Sequence, residues 1–190
     1  HDMDQDMTLL SKDLVALENL NKALHLAHAY IERARPEFEK RFGKSEVAWN
    51  NNNFGTQLFN VNRLPAWVRK PISGDPHSEI LYSVNLDGSI SIQIYFDNAF
   101  NEADAYLEAL NDANKAIENE KFTVEKTEGE TGSVAYKNMS LGQILNDEQG
   151  AQKVHEWFVA AFKDIQQLIE HTQKVIPWKE EVKPPQSNPS

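Results

Sequence analysis

The sequence contains no cysteine among its 190 residues, which excludes disulfide bonds and thiolate chemistry. It has no apolar run near the ~18 residues that a membrane span needs, and no recognisable signal peptide. No Gly-x-Ser-x-Gly motif, phosphate-binding glycine loop or dinucleotide fingerprint occurs either. These absences predict a soluble, cytoplasmic protein that is not an enzyme and binds no cofactor and no membrane.

The charge is acidic overall but uneven along the chain. The formal net charge is −10, which argues against a protein that binds nucleic acid over its whole surface. Residues 33–70, called here the basic segment, nevertheless carry eight basic and three acidic side chains. This segment is the main compositional anomaly, and it is a candidate binding region.

Two runs in the middle of the chain, residues 80–86 and 90–96, alternate apolar and polar side chains with the period of a half-buried strand. Asp87-Gly88 between them indicates a hairpin turn. A two-residue loop would place apolar residues opposite polar ones. We therefore expect a three-residue loop over residues 87–89, which sets Leu86 opposite Ile90 and Val84 opposite Ile92.

Three stretches have the three-and-four spacing of amphipathic helices. In the first stretch, Pro36 is expected to end or kink the helix near Ala34, and its narrow apolar stripe fits either a helix lying on the sheet or a coiled-coil seam for self-association. Asn101 and Asp147 are the expected caps of the second and third helices. The stripes are Leu10, Leu14, Leu17, Asn21, Leu24, His28 and Ile31; Phe100, Ala103, Leu107, Leu110, Asn114 and Ile117; and Ala151, Val154, Phe158, Ala161, Ile165, Leu168, Thr172 and Val175.

The predicted element order is helix, three strands, helix, two strands, helix. An antiparallel sheet with helices gathered mainly on one face suits this order, so the predicted class is α+β. The proline-containing segment 64–76 is expected to leave the sheet as a surface excursion. We expect residues 1–10 to be disordered or derived from a tag, residues 11–176 to form one domain, and residues 177–190 to be a disordered tail.

No residue pattern points clearly to catalysis or metal binding. His25 and His28 lie three apart on the first helix, but no third ligand follows at a matching spacing, so we predict no metal site. The candidate partner-binding residues are instead the aromatic and cationic side chains of the basic segment, because such a mixture can stack bases or grip an acidic peptide. The competing interpretation is that the aromatics are core and the arginines neutralise nearby acidic helices. The candidates are Trp49, Arg63, Trp67, Arg69 and Lys70.

The run from Leu110 to Asn114, followed by Phe122 and then Gly132 to Leu141, resembles the YbjN family and its structural relatives, the bacterial type III secretion chaperones. The resemblance covers residues 79–168. It implies the element order given above and a small acidic dimer that binds an unfolded client along exposed apolar surface. The chain departs from those families in the insert over residues 62–76 and in its basic segment.

A looser resemblance, at Ile117-Glu118 and Phe122, is to accessory domains of prokaryotic nuclease and restriction proteins. The predicted function is therefore a chaperone-like or YbjN-like module that binds a protein partner as a dimer. The alternative is a nucleic-acid-binding accessory domain of a defence or restriction system that uses the basic segment.

Overall fold

The computed structural model describes residues 3–49, 57–65, 78–85, 88–98, 103–127, 129, 132–145, 148–173 and 178–180. Its elements are α1 (Met3–Phe42), β1 (Glu46–Trp49), β2 (Gln57–Pro65), β3 (Ser78–Val84), β4 (Ser89–Asp97), α2 (Ala103–Lys115), β5 (Thr123–Lys126), β6 (Gly132–Ser140), α3 (Leu141–Leu145), α4 (Gly150–Thr172) and β7 (Trp178–Glu180). The strands form one antiparallel sheet in the order β1-β2-β3-β4-β6-β5, with β7 paired to β2. The predicted α+β class is confirmed.

The sheet has more strands before β3 than the sequence predicted. Residues 47–61 contain strand-forming side chains interrupted by four asparagines and Gly55, which predicts one interrupted strand. The structure instead pairs β1 with β2, with Glu46 opposite Asn60 and Trp49 opposite Gln57. β2 continues to Pro65, so the first two residues of the expected surface excursion, Leu64 and Pro65, lie in a strand.

The ends of the chain also differ from expectation. The sequence offers Ser11 or Asp13 as the cap of the first helix, but α1 begins at Met3. β7 lies at the start of the predicted tail. Beyond β7, residues 181–190 lie outside the described residues.

The β3–β4 pair has a different register from the predicted one, and residues 86–87 of the predicted loop region lie outside the described residues. Asn85 N–H donates to the Ser89 carbonyl at 2.8 Å, so these two residues lie opposite each other. Val84 therefore lies opposite Ile90 rather than Ile92, two residues from the predicted pairing. The reason is Gly88, whose φ of +79° suits the left-handed position that closes a three-residue loop. Because the shift is two residues, each side chain keeps its predicted face.

The sequence predicts that Pro36 ends or kinks α1 near Ala34 and that Phe38 and Phe42 continue the helix to a stop at Gly43. In the structure α1 is one helix that passes through Pro36 and continues to Phe42. Proline inside a helix costs about 3 kcal/mol. Phe38 and Phe42, in the turn and a half that follows, are buried in the core, which offsets this cost. The helix ends as predicted at Gly43, whose φ is +97° and whose N–H donates to the Glu39 carbonyl.

The core lies between one face of the sheet and the helices. The Phe162 ring on α4 lies 5.3 Å from Phe38 of α1 and 5.2 Å from Tyr82 of β3, measured between ring centroids. The predicted α4 stripe is buried from Val154 to Thr172, and the expected cap Asp147 lies outside the described residues. On α2, Tyr106 is fully buried where Leu107 was expected.

Candidate functional site

The N-terminal half of α1 stands away from the core. We call residues 3–19 the arm, because every side chain that the structure describes there is exposed. Among the side chains of α1 that the structure describes, Ile31 is the first that is fully buried. The expectation of a helix lying on the sheet is therefore wrong for Leu10, Leu14 and Leu17, and correct for residues 31–42 of α1.

The arm carries a continuous apolar stripe, called here the seam. Its members are 48–74% exposed, although they are large hydrophobic side chains. They follow one another at spacings of four and three residues, which is the heptad pattern of a coiled-coil face. By spacing, Asn21, Leu24 and His28 continue the same pattern toward the core. The seam residues are Met3, Met7, Leu10, Leu14 and Leu17.

The seam is flanked by acidic side chains. In heptad terms the flanking positions hold Asp4, Asp6, Asp13 and Glu18. Glu18 also makes an exposed pair with Lys22 at 3.2 Å, one turn further along the helix. Exposed pairs of this kind contribute only a few tenths of a kcal/mol. The arm is thus an apolar stripe between negative borders.

The part of α1 from Ile31 to Glu39, called here the root of the arm, is fixed to the sheet. The Tyr82 hydroxyl on β3 donates to the Ile31 carbonyl at 3.0 Å, and burial raises the pKa of Tyr82. Glu39 accepts hydrogen bonds from Ser45 Oγ at 2.7 Å and from Arg35 Nε at 3.0 Å. The Ser45 hydroxyl, helped by Arg35, lowers the pKa of Glu39. These contacts hold the direction in which α1 leaves the body.

The predicted binding residues are only partly placed. Trp49 ends β1 opposite Gln57, and Arg63 in β2 lies opposite Glu180 of β7. Trp67, Arg69 and Lys70 lie outside the described residues. The structure therefore does not bring these five residues together in one described surface.

Two arginines in the described part of the basic segment are paired with carboxylates of their own helix. Arg35 Nη1 lies 3.4 Å from Glu32 in addition to its contact with Glu39. Arg41 Nη2 lies 3.9 Å from Glu37. These pairs agree with the interpretation in which the arginines neutralise nearby acids.

A buried ion pair was missed at the sequence level. Lys137 Nζ on β6 lies 2.8 Å from Asp164 Oδ2 on α4, and both side chains are buried. Asn119 donates to both Asp164 oxygens at 3.4 Å, and the ammonium lies 4.4 Å from the Phe122 ring centroid. The sequence did contain an indication that Lys137 is buried. Alternate residues of a strand share a face, so Lys137 lies on the same face as the buried Ala135.

The ion pair borders a surface cleft of about 640 Å³ between α1 and α4. The cleft mixes both signs of charge, with Arg41 and Lys163 facing Glu37, Glu156 and Asp164. Asp164 is engaged by its lysine and asparagine partners, so it is held as a structural anchor rather than presented as a free base. The cleft therefore ranks below the arm as a candidate site.

Across the described ranges, no three metal-ligating side chains converge. Within the same part of the chain, no helix combines the length and the apolar character needed to cross a bilayer.

The resemblance to the YbjN family and the secretion chaperones stays a prediction. Comparison of the chain with protein-family models, with curated proteins and with solved structures finds no match in any of the three.

Proposed function

We propose that this protein is a non-catalytic protein-binding module, located in the cytoplasm, whose binding surface is the seam of the arm. The observation that carries the proposal is the exposure of the seam, in which all five large apolar side chains are about half exposed or more. Contiguous apolar surface of this kind marks interaction sites on folded proteins.

The energetics of the arm favour a partner. A helix without tertiary packing is marginal in water, because most helical stability in proteins comes from burying an apolar face. Burying a leucine or methionine fully is worth about 1.5–3 kcal/mol. Since the seam side chains are 48–74% exposed, a partner that covers them gains a large part of that amount at each position.

The acidic borders favour protein over nucleic acid or membrane as the partner. Asp4, Asp6, Asp13 and Glu18 would repel the phosphate backbone of a nucleic acid. The same carboxylates oppose adsorption to an anionic lipid surface, which attracts polybasic helices. An exposed apolar surface on an acidic domain is also the mode of client binding that the chaperone resemblance implies.

The nucleic-acid alternative rests on Arg63, Trp67, Arg69 and Lys70. Of these, Arg63 lies opposite Glu180, and the other three lie outside the described residues. Binding to phosphates weakens steeply as salt rises, whereas apolar association does not. Salt dependence therefore separates the two functions.

Photocrosslinking in the native host tests the proposal. A benzoylphenylalanine at position 14 reports contacts of the seam, and one at Asp112, an exposed position of α2, serves as the matched control. We expect discrete protein adducts from position 14 that disappear when Leu10 and Leu17 are changed to Glu. Adducts that match those of the control, or adducts with nucleic acid, would contradict the proposal.

A further inference from the structure

We infer that the partner of the seam is a second copy of this chain, bound antiparallel along the arm, so that the two bodies lie at opposite ends of the paired helices. This inference rests on the proposed function, because it names the occupant of the same surface. It depends on two independent features: where the stripe of the seam continues, and how its flanking charges are spaced.

The first feature is the continuation of the seam into the core. Ile31, Phe38 and Phe42 carry the same heptad pattern onward and are buried. Phe38 and Phe42 pack against Phe162 of α4, with ring centroids 5.3 and 6.3 Å apart. Along this part of α1, the protein's own sheet and α4 already occupy the space that the continuation of the seam faces.

This continuation decides the orientation. A second helix running parallel along the arm would, further on, place its own residues 31–42 and the body attached to them in the occupied space. A helix running antiparallel instead ends near the root of the arm and carries its body beyond Met3. The exposed part of the stripe is therefore open to an antiparallel copy and blocked to a parallel one.

The second feature is the spacing of the flanking charges. A parallel pairing sets each flanking residue against the one five positions later on its partner, so Asp13 would face Glu18 on both sides of the interface. Like charges at such positions are destabilising.

An antiparallel register that sets Leu14 against Leu17 removes this repulsion. In that register Asp13 falls beside position 20, Ser11 beside Glu18, and Asp4 beside His25. No two carboxylates face each other. Packing and charge thus favour the same orientation.

Spin labels test the orientation directly. The chain has no cysteine, so Gln5→Cys introduces a unique labelling site on the outer side of the arm. In the antiparallel register, position 5 lies beside position 26 of the other copy. The two labels are therefore about 31 Å apart along the helix axis, from 21 residues at about 1.5 Å each. A parallel pair would hold them level along the helix axis, so that only the ~10 Å between packed helix axes and the outward reach of the two labels would separate them, without the axial offset.

We expect a dipolar distance near the longer value at concentrations where sedimentation shows a dimer, and loss of that signal when Leu14→Glu is added. A distance near the shorter value would overturn the antiparallel arrangement. A chain that stays monomeric at roughly 0.5 mM would overturn the second copy as occupant, because a specific dimer is expected to form well below that concentration.

The crosslinking experiment at position 14 separates this failure from failure of the proposed function. A monomeric chain whose position 14 still crosslinks to another protein keeps the binding function and loses the self-pairing. A monomeric chain without seam-dependent adducts loses both.

Discussion

The substitution Leu14→Ala gives the most quantitative test of the seam. Leu14 is 57% exposed in the single chain, and in the antiparallel pair it contacts Leu17 of the second copy. The change removes three methylene-sized groups, each worth about 0.8 kcal/mol when buried. Since just over half of the side chain is available for burial by a partner, the loss is about 1.4 kcal/mol per copy. Two copies per dimer lose about 2.8 kcal/mol, which raises the dissociation constant about 100-fold.

Sedimentation equilibrium over a concentration series measures this dissociation constant. Val15→Ala is the matched control, because Val15 is 53% exposed but lies on the outer side of the seam. We expect the control to leave the dissociation constant within a factor of about three and neither change to shift the free energy of unfolding of the monomer beyond about 0.5 kcal/mol. If Leu14→Ala changed the dissociation constant no more than Val15→Ala did, the seam would not be the interface.

Three further predictions concern the body of the protein, and urea unfolding measures each of them. Asp164→Ala is expected to lower the free energy of unfolding by about 3–5 kcal/mol, because it leaves the Lys137 ammonium buried and unpaired. Gly132→Ala would bring a Cβ within 2.5 Å of a tyrosine ring on β4 and is expected to cost about 1–3 kcal/mol through overpacking. Glu39→Gln is expected to destabilise the protein at neutral pH, and its difference from the wild type should shrink as the pH falls through the lowered pKa of Glu39, below the ordinary value of 4.5.

Each of these predictions has a measurable outcome that would contradict it. Asp112→Ala removes a highly exposed pair with Lys115 and should change stability by less than about 1 kcal/mol. A loss at Asp164 as small as this would mean that the buried pair is not an anchor. A Gly132→Ala protein as stable as the wild type would contradict the close packing of β6 on β4. A Glu39→Gln difference that grew toward acid pH would reverse the sign of the pKa argument.

Much of the sheet could be predicted from the sequence, because the alternation of side chains between the two faces of a strand is a local property. In residues 80–84 and 90–96, the alternate side chains that were expected to face the core are buried, so these faces were predicted correctly. The register was wrong by two residues, since it depends on which loop position Gly88 occupies rather than on the apolar pattern. The sequence predicted one strand where the structure has β1 and β2, because the strand pattern there is interrupted. Short strands of this kind are identified by the strands with which they pair.

The helices show where local patterns fail. Pro36 indicated an end or a kink of the helix. The helix continues past it because burial of Phe38 and Phe42 by distant parts of the chain outweighs the local cost. The stripe of α1 was recognised, yet its spacing could not distinguish a buried half from an exposed half. That distinction depends on how far α4 and the sheet extend alongside α1. The Lys137–Asp164 pair joins residues 27 positions apart, and only the tertiary structure brings them together.

Hydrogen exchange of the backbone amides at low and high protein concentration tests the central claim most directly. The arm has exposed side chains throughout, so its amides should exchange rapidly in the single chain, while those of β4 and α4 stay protected. The account predicts that raising the concentration slows exchange in residues 3–28 alone, and that Leu14→Glu abolishes the effect. Exchange in the arm that is equally fast at every concentration would contradict self-pairing through the seam.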